Sequence, residues 1–334
     1  MILVQNSVVF KSVPSRIAGV ACLPVWKISS NTVRSSGISS IELMSDDLET
    51  FLGRPENPAR RTTQQLPAVQ PQRTPGQGTP GQGGPGQGGP GQQPAGNAPA
   101  AAPPQGGGRR QLTPEEQEIQ DKYNADVKAF RTGISIEKIA AAKKLFDDAG
   151  IGVHIVKFSP SSWSDEEIDY AFTTAKAMGA NAVCEEISER AVAKLAPFAE
   201  KHGMKAIFHN HQQFATEGFS ADPFLAVSPA VMLNFDSGHY FGSTGLNPCD
   251  FIRKYHDRIY SIHIKDKTGP NTEPKNQNQV WGQGECPLAE LLLLIKQEGW
   301  PIFLDIELEY NIAAWSNAVK EVKTCVQYAR NILI

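Results

Sequence analysis

The chain has 334 residues, a formal net charge of −3 and five cysteines. This length suits one large domain or two ordinary ones, and the slight negative charge gives no general attraction to nucleic acid or to an anionic membrane surface. The cysteines are scattered, odd in number and without a CxxC pair, which argues against a disulfide framework and against a thiolate zinc site.

The N-terminal segment carries no clear targeting signal. Residues 1–16 begin with apolar side chains, have no basic stretch ahead of them, and contain no small-residue cleavage motif. The longest apolar run, Ile17 to Trp26, is too short to cross a bilayer and is interrupted by Pro24. We therefore expect no membrane insertion and take the cytoplasm as the default compartment, with export left open.

Residues 1–54 predict the first part of a barrel. The segment Ser39 to Met44 predicts a strand, and the region around Arg16 to Leu23 is a weaker candidate for the strand before it. Proline, glycine, glutamine and alanine then dominate residues 55–112, where PGQGx repeats with a period of five. That period excludes collagen, and the scarcity of large apolar residues predicts a disordered, surface-exposed insertion. A spacer is the favoured role for it, and partner binding is the alternative.

Residues 113–334 alternate between helical and strand-like patterns. A helix starts with Thr113 as its cap and Pro114 in its first turn. The predicted strands after it are 152–158, 181–186, 205–211, 231–239, 259–266 and 301–307. The predicted helices are 135–149, 164–178, 189–202, 223–226, 248–257, 287–298 and 313–332.

The number and composition of the strands predict the fold class. The strands are nearly continuous apolar runs, which is typical of a parallel sheet covered by helices. Six βα units after the insertion and two before it make a (β/α)8 TIM barrel, with the insertion after the second strand. A doubly wound open sheet is the alternative, but it usually carries a glycine-rich phosphate loop after its first strand, and this sequence shows none.

Side chains of the kinds that bind metal ions lie at the ends of the late predicted strands. They are His209, His211, Asp236, His239, His263 and Glu307. The carboxyl ends of barrel strands lie on one rim, where TIM-barrel enzymes carry their active sites. Imidazole nitrogens and carboxylate oxygens that meet at one point are the ligands that a divalent cation needs. The sequence therefore predicts a metal centre on that rim.

Each candidate also has a structural interpretation. A turn or a helix cap is the alternative for Asp236, and a hydrogen-bonded core residue is the alternative for His263. Glu307 could instead pair with a basic side chain inside the barrel, because a buried carboxylate is costly unless it is paired. Lys265, on the face of His263, suits either a substrate contact or a carboxylate partner. The ligand interpretation is favoured because these residues share one predicted rim.

Seven motifs follow one another along the chain, namely GISSIELM, SDEEIDYAFTTAKAMGA, FHNH, NFDSGHY, IHIKD, WGQGE and IELEY. In this order they resemble the sugar phosphate isomerase/epimerase superfamily of xylose isomerase-like TIM barrels, and in particular an uncharacterised branch that carries HNH. The resemblance covers nearly everything from Gly37 onward except the insertion. It implies metal ligands at Asp236, His263 and Glu307, and a substrate contact at His239.

The sequence departs from the tagatose-epimerase pattern at the fifth strand. That pattern has a glutamate there, and this chain has His209. Glu186, one strand earlier, resembles a glutamate of the HNH branch and is the candidate replacement. The resemblance then implies a metal set of Glu186, Asp236, His263 and Glu307.

These residues predict a divalent-metal-dependent isomerase or epimerase that acts on a keto-sugar through an enediolate. The expected catalytic residues are Glu307, Glu186, Lys265 and His211, and the expected substrate contacts are His239, His209 and Lys265. Mixed oxygen and nitrogen ligation suits Mn²⁺, Co²⁺, Zn²⁺ or Mg²⁺. A small carbohydrate is the expected partner, with neither nucleic acid nor a membrane, and homo-oligomerisation is left open.

Three other functions stay open at this point. A lyase or dehydratase could act on an inosose or a 3-keto-glycoside through the same α-proton removal. A barrel could bind a sugar without turning it over. An endonuclease IV-like phosphodiesterase is the least favoured, because the sequence lacks a rim rich in lysine and arginine.

Overall fold

The computed structural model describes residues 6–9, 36–58 and 112–334, with the backbone alone for residues 6–9. Most of the predicted insertion lies outside these ranges, so its disorder and the boundaries at residues 55 and 112 stay predictions. Two compact units are distinguished, one of residues 1–55 with 127–334 and the other of residues 56–126.

The larger unit is a closed barrel of eight parallel strands. They are β1 (Asn6–Val9), β2 (Ser40–Met44), β3 (Gly152–Lys157), β4 (Ala182–Glu186), β5 (Lys205–His209), β6 (Val231–Asp236), β7 (Ile259–Ile264) and β10 (Phe303–Glu307). Each strand pairs with the next in this order, and β10 pairs with β1 to close the barrel. A short antiparallel hairpin, β8 (Asp266–Lys267) with β9 (Asn278–Gln279), follows β7.

The helices alternate with the strands along the chain. They are α1 (Ser45–Leu52), α2 (Pro114–Gly133), α3 (Ile136–Asp148), α4 (Asp165–Ala177), α5 (Glu189–His202), α6 (Asp222–Leu225), α7 (Ser237–Thr244), α8 (Pro248–Tyr255), α9 (Leu288–Glu298) and α10 (Ala318–Ile332). None of the helices in the described ranges combines the length and the apolarity that a membrane crossing needs.

The predicted TIM barrel is confirmed, but its first strand does not lie where the sequence suggested. Asn6–Val9 forms β1 and pairs with β2 on one side and β10 on the other. The region proposed for this strand, Arg16 to Leu23, lies outside the described residues. Two adjacent valines supply β-branched side chains that favour a strand, and a run of four residues is too short to show a clear periodicity.

Side-chain capping determines where three elements begin or end. The predicted cap at Thr113 is confirmed, since its hydroxyl accepts the Glu116 amide at 3.2 Å and the Glu116 carboxylate accepts the Thr113 amide at 2.8 Å. Strand β6 ends earlier than predicted because Asp236 caps α7, and α10 begins later than predicted because Asn317 caps it.

The barrel interior is only partly apolar. The main core lies between the strands and the surrounding helices and includes Val156, Phe208 and Phe235, each at most 1% exposed. A separate, small apolar cluster comprises Ile155, Ala182, Cys184 and Ile207. Side chains alternate between the two faces of a strand, so the remaining inward positions on β2, β6, β7 and β10 hold polar and charged residues.

Candidate metal centre at the carboxyl ends of the strands

Four side chains from four strands converge inside the carboxyl end of the barrel. They are His209 on β5, Asp236 on β6, His263 on β7 and Glu307 on β10. Each offers one ligand-type atom, and these atoms all lie within 4.8 Å of one another. All four side chains are at most 1% exposed. Two imidazoles and two carboxylates at this spacing form a donor set of the kind that holds a divalent metal ion.

The two ring nitrogens of His263 face different carboxylates. Nδ1 lies 2.9 Å from Glu307 Oε2 and 4.0 Å from Asp236 Oδ2, while Nε2 lies 2.8 Å from Glu42 Oε2. Burial alone would lower the pKa of His263, but Glu307 and Glu42 outweigh it and raise the pKa to about 10. A carboxylate behind a ligating histidine fixes its orientation and tautomer, and Glu42 stands in that position.

Glu42 was not among the residues singled out in the sequence. Burial would raise its pKa, but the neighbouring His263 imidazole overcomes this and lowers it. One feature of the sequence could have identified it, because Glu42 occupies an inward position of the strand SIELM, two residues after Ser40. Alternation along that strand would have placed its carboxylate inside the barrel.

His209 is the strongest local indication of a missing ligand. Both of its ring nitrogens are buried and without a hydrogen-bond partner in the described part of the chain. Burial, and then the positive charges of Lys157 and His263, hold its pKa well below the usual value, so the imidazole is neutral. An unsatisfied buried polar group is costly, whereas a neutral imidazole nitrogen is a good metal donor. The residues present therefore fit a bound metal.

The ammonium group of Lys265 lies among three carboxylates. Its Nζ is 2.8 Å from Asp236 Oδ2, 2.7 Å from Glu307 Oε2 and 2.6 Å from Glu309 Oε2. Burial acts to lower the pKa of Lys265, but the three carboxylates raise it above its usual value. Lys265 thus balances part of the negative charge of the centre.

His239 and His211 lie beside the four converging residues. His239 Nε2 is 3.4 Å from Glu309 Oε2 and 3.8 Å from Asp236 Oδ2. The ring centroid of His211 lies 4.8 Å from that of His239 and 4.9 Å from that of His209. The three histidines also form a group with metal-ligand spacing, and the 43% exposure of the His211 side chain places it at the open side of the site.

Glu186 is the predicted ligand that the structure does not bring into this group. Its Oε1 accepts a hydrogen bond from Lys157 at 2.7 Å, and its Oε2 lies 3.3 Å from His211 Nδ1. The Cα atoms of Glu186 and His209 are register partners on β4 and β5, but the buried Lys157 ammonium holds the carboxylate towards β3. His209 stands in the group in its place.

The predicted turn or cap role of Asp236 coexists with its place in the centre. Oδ1 accepts the His239 amide at 2.7 Å as the cap of α7, while Oδ2 lies beside Lys265. Asn210 fixes the backbone here, because its side-chain oxygen accepts the Asp236 amide and its NH2 group donates to the Asp236 carbonyl. One carboxylate therefore organises both the loop and the centre.

The loop after β7 is wrapped around Asp266. This carboxylate accepts the amides of Gly282 at 2.8 Å, Gly284 at 2.9 Å and Cys286 at 3.2 Å. A Cβ atom on Gly284 would lie 2.3 Å from Asp266 Oδ1, so only glycine permits this approach. The WGQGE motif therefore acts as a structural clamp that orders the segment next to Lys265.

Together these features define a TIM barrel with a candidate divalent-metal centre at the carboxyl ends of its strands. The match to the family model supports the same assignment. The chain belongs to the xylose isomerase-like TIM barrel family, whose model matches residues 121–325. The predicted xylose isomerase-like TIM barrel family is confirmed, and assignment to an HNH-bearing branch stays a prediction.

Among curated proteins, an inosose dehydratase of Clostridium botulinum is 29% identical over 140 residues, which are 36% of this chain and 46% of that protein. The chain thus spans less than half the length of this relative. A xylose isomerase domain protein from Alicyclobacillus acidocaldarius matches with a TM-score of 0.54 and 12% identity over 98% of both chains. The probable 3-DHS dehydratase AsbF from Bacillus anthracis matches with a TM-score of 0.53 and 11% identity over 98% of this chain and 99% of that one. Identities this low show the fold alone.

Proposed function

We propose that this protein is a sugar-modifying enzyme that removes the proton next to the carbonyl group of a polyhydroxylated ketone. The observation that carries the proposal is the convergence of His209, Asp236, His263 and Glu307 at the rim where TIM-barrel enzymes carry their chemistry. The inosose dehydratases among the relatives support a cyclic or linear keto-polyol as the substrate class.

The same four residues would hold a divalent ion, with Mn²⁺, Co²⁺, Zn²⁺ and Mg²⁺ as the candidates. When bound, such an ion supplies a Lewis acid that polarises a substrate carbonyl. Glu42 holds His263 by its second nitrogen and so presents Nδ1 to the centre. This set differs from the one inferred from the sequence by having His209 in the place of Glu186.

The last strand supplies the proton acceptor in this proposal. Glu307 keeps the assignment made from the sequence, and Glu309, two residues further on, is a second carboxylate beside Lys265. The Lys265 ammonium pairs with both carboxylates and positions them. Its three donor hydrogens also suit a substrate hydroxyl or carbonyl oxygen. His239, next to Glu309, is a substrate contact on the same side.

His211 and Glu186 supply the proton donor in this proposal. His211 is half-exposed, and its Nδ1 faces the Glu186 carboxylate, which is fixed by Lys157. The Glu186 carboxylate orients the His211 ring, whose other nitrogen can give a proton to a leaving hydroxyl. Glu186 thereby keeps a role in the reaction, as a positioning residue.

An acceptor and a donor within one site suit loss of water from a β-hydroxy ketone. The dehydratases among the sequence relatives also favour dehydration over simple isomerisation. Isomerisation and epimerisation begin with the same proton removal and stay the second candidates. They differ in where the proton is returned, so the products separate the three reactions.

The test is to incubate the metal-loaded protein in D2O with inososes, ketohexoses and 3-keto-glycosides, and to follow each by NMR. We expect deuterium to enter next to the carbonyl group in at least one substrate, with a dehydrated product from the same compound. EDTA should abolish both. Replacing His211 by glutamine should lower dehydration by about 10²–10⁴-fold while α-exchange continues. Absence of exchange in every substrate, with each of the four metals, would contradict the proposal.

A further inference from the structure

A layer of polar side chains lies inside the barrel on the amino-terminal side of the candidate metal centre. Asn234, Ser261 and Asp305 lie two positions before Asp236, His263 and Glu307 on β6, β7 and β10, respectively. Glu42, on β2, joins this layer by accepting a hydrogen bond from Asn234. All four are at most 1% exposed. TIM-barrel interiors are normally filled by branched apolar side chains at this depth, so a polar layer here requires a physical reason.

Within the described part of the chain, each member of this layer has one oxygen atom without a hydrogen-bond partner. These atoms are Glu42 Oε1, Asn234 Oδ1, Ser261 Oγ and Asp305 Oδ1. Glu42 and Asp305, together with His263, also form a group whose ligand-type atoms lie within 4.8 Å of one another. Two buried carboxylates this close, each with an oxygen that has no partner, favour a further positive charge or donor beside the His263 imidazole.

The donors nearest to the two carboxylates are already engaged with their other oxygens. Glu42 Oε2 accepts from Asn234 Nδ2 at 2.9 Å and lies 2.8 Å from His263 Nε2. Asp305 Oδ2 lies 3.2 Å from His154 Nε2. These contacts fix both carboxylates and the Asn234 amide, and they leave Glu42 Oε1, Asp305 Oδ1 and Asn234 Oδ1 as the oxygens available to a cation.

We propose that Glu42, Asn234, Ser261 and Asp305 bind a second cation inside the barrel, separate from the centre above it. A donor set made only of oxygen atoms, two of them carboxylate, selects a hard divalent ion such as Ca²⁺ or Mg²⁺. The upper group includes two imidazoles and favours a transition metal. The His263 ring lies between the two sites, with Nε2 held by Glu42 and Nδ1 facing the upper group.

A cavity at the opposite end of the barrel offers a route to this site. It has a volume of about 240 Å³ and lies at the first residues of several strands, among them Ser40, Gly152 and Phe303. His154 lines it, stacks on Phe303 with ring centroids 4.2 Å apart, and contacts Asp305 on its inner side. His154 thus connects this cavity to the Asp305 carboxylate.

The test uses the full chain, and titration calorimetry with Ca²⁺ and with Mg²⁺ as the readout. We expect one Ca²⁺ to bind per chain, and we expect it to persist in His209→Ala, which removes a donor of the upper centre only. In that background, Ser261→Ala should weaken binding by more than about 10-fold, and Asp305→Asn, which also removes a ligand charge, should weaken it further. Thermal unfolding should show that Ser261→Ala remains folded. Sugar turnover plays no part in this readout, so the result is independent of the proposed activity.

Two results would overturn the inference. The first is the absence of stoichiometric Ca²⁺ or Mg²⁺ binding by the wild-type chain, with an ordered water among the four oxygens at high resolution. The second is binding that disappears in His209→Ala but survives Asp305→Asn, because this would place the cation in the upper centre.

Discussion

Asp236→Asn is expected to abolish metal retention and to lower turnover by on the order of 10³-fold. Asparagine is as good a helix cap as aspartate, so the contact with the His239 amide can persist while the ligand charge disappears. Loss of a ligand should weaken metal binding by more than the 10–100-fold typical of outer-shell changes. Losing the several kcal/mol that a Lewis acid contributes accounts for the fall in turnover.

The measurement is the metal content of the purified protein, determined together with turnover of the best substrate from the panel. Glu309→Gln is the matched control, since Glu309 also contacts Lys265 but lies outside the four converging residues. This control should retain its metal. If Asp236→Asn keeps a full equivalent of metal, or if Glu309→Gln loses it equally, the assigned ligand set is wrong.

Lys265→Met is expected to make the stability of the protein depend on metal. Removing the ammonium leaves Asp236, Glu307 and Glu309 without their shared counter-ion. Breaking a buried ion pair by removing one partner typically costs about 3–5 kcal/mol. A divalent ion that binds the folded state alone would restore much of this loss by mass action.

The experiment compares the free energy of unfolding of Lys265→Met in EDTA and in saturating Mn²⁺. Lys267→Met is the control, because Lys267 is also buried but makes no ion pair with any residue in the described ranges. That variant should change less, and metal should not reverse its change. A metal-independent loss in Lys265→Met would show that the lysine acts as a packing residue and not as a counter-ion to the centre.

The fold could be predicted from the sequence because the strands and helices after residue 113 have strong and regular patterns. The runs KAIFH and VMLNFD are buried on both faces, so their apolar character is nearly continuous. β1 was misplaced because Asn6–Val9 is short, and its place is determined by pairing with β2 and β10 and not by local pattern. Tertiary pairing of this kind leaves little trace in the sequence.

Three of the four predicted metal residues do come together, and the fourth shows what the sequence could not provide. Asp236, His263 and Glu307 were found because each ends an apolar run. Glu186 and His209 also end apolar runs, and choosing between them required the position of Lys157, which holds the Glu186 carboxylate towards β3. Long side chains can reach more than one partner, so alternation along a strand gives the face of a residue but not its contact.

The polar layer inside the barrel was missed for a related reason. Asn234 and Ser261 lie within strands and precede Asp236 and His263 by two positions, so both were counted as ordinary strand residues. The signal was present in the alternation itself, since an inward residue two positions before an inward ligand also faces the barrel axis. That these residues form a polar layer becomes visible only in the folded structure, where Asn234 donates a hydrogen bond to Glu42 of β2.

The most direct measurement is a crystal structure of the full chain grown with Zn²⁺, with anomalous diffraction collected at the zinc edge. We expect one strong peak bonded to His209, Asp236, His263 and Glu307 at about 2.0–2.2 Å, with the Lys265 ammonium displaced from the carboxylates. A map with no peak among these side chains, and with Lys265 still paired to Asp236 and Glu307, would contradict the metal centre and the chemistry proposed for it.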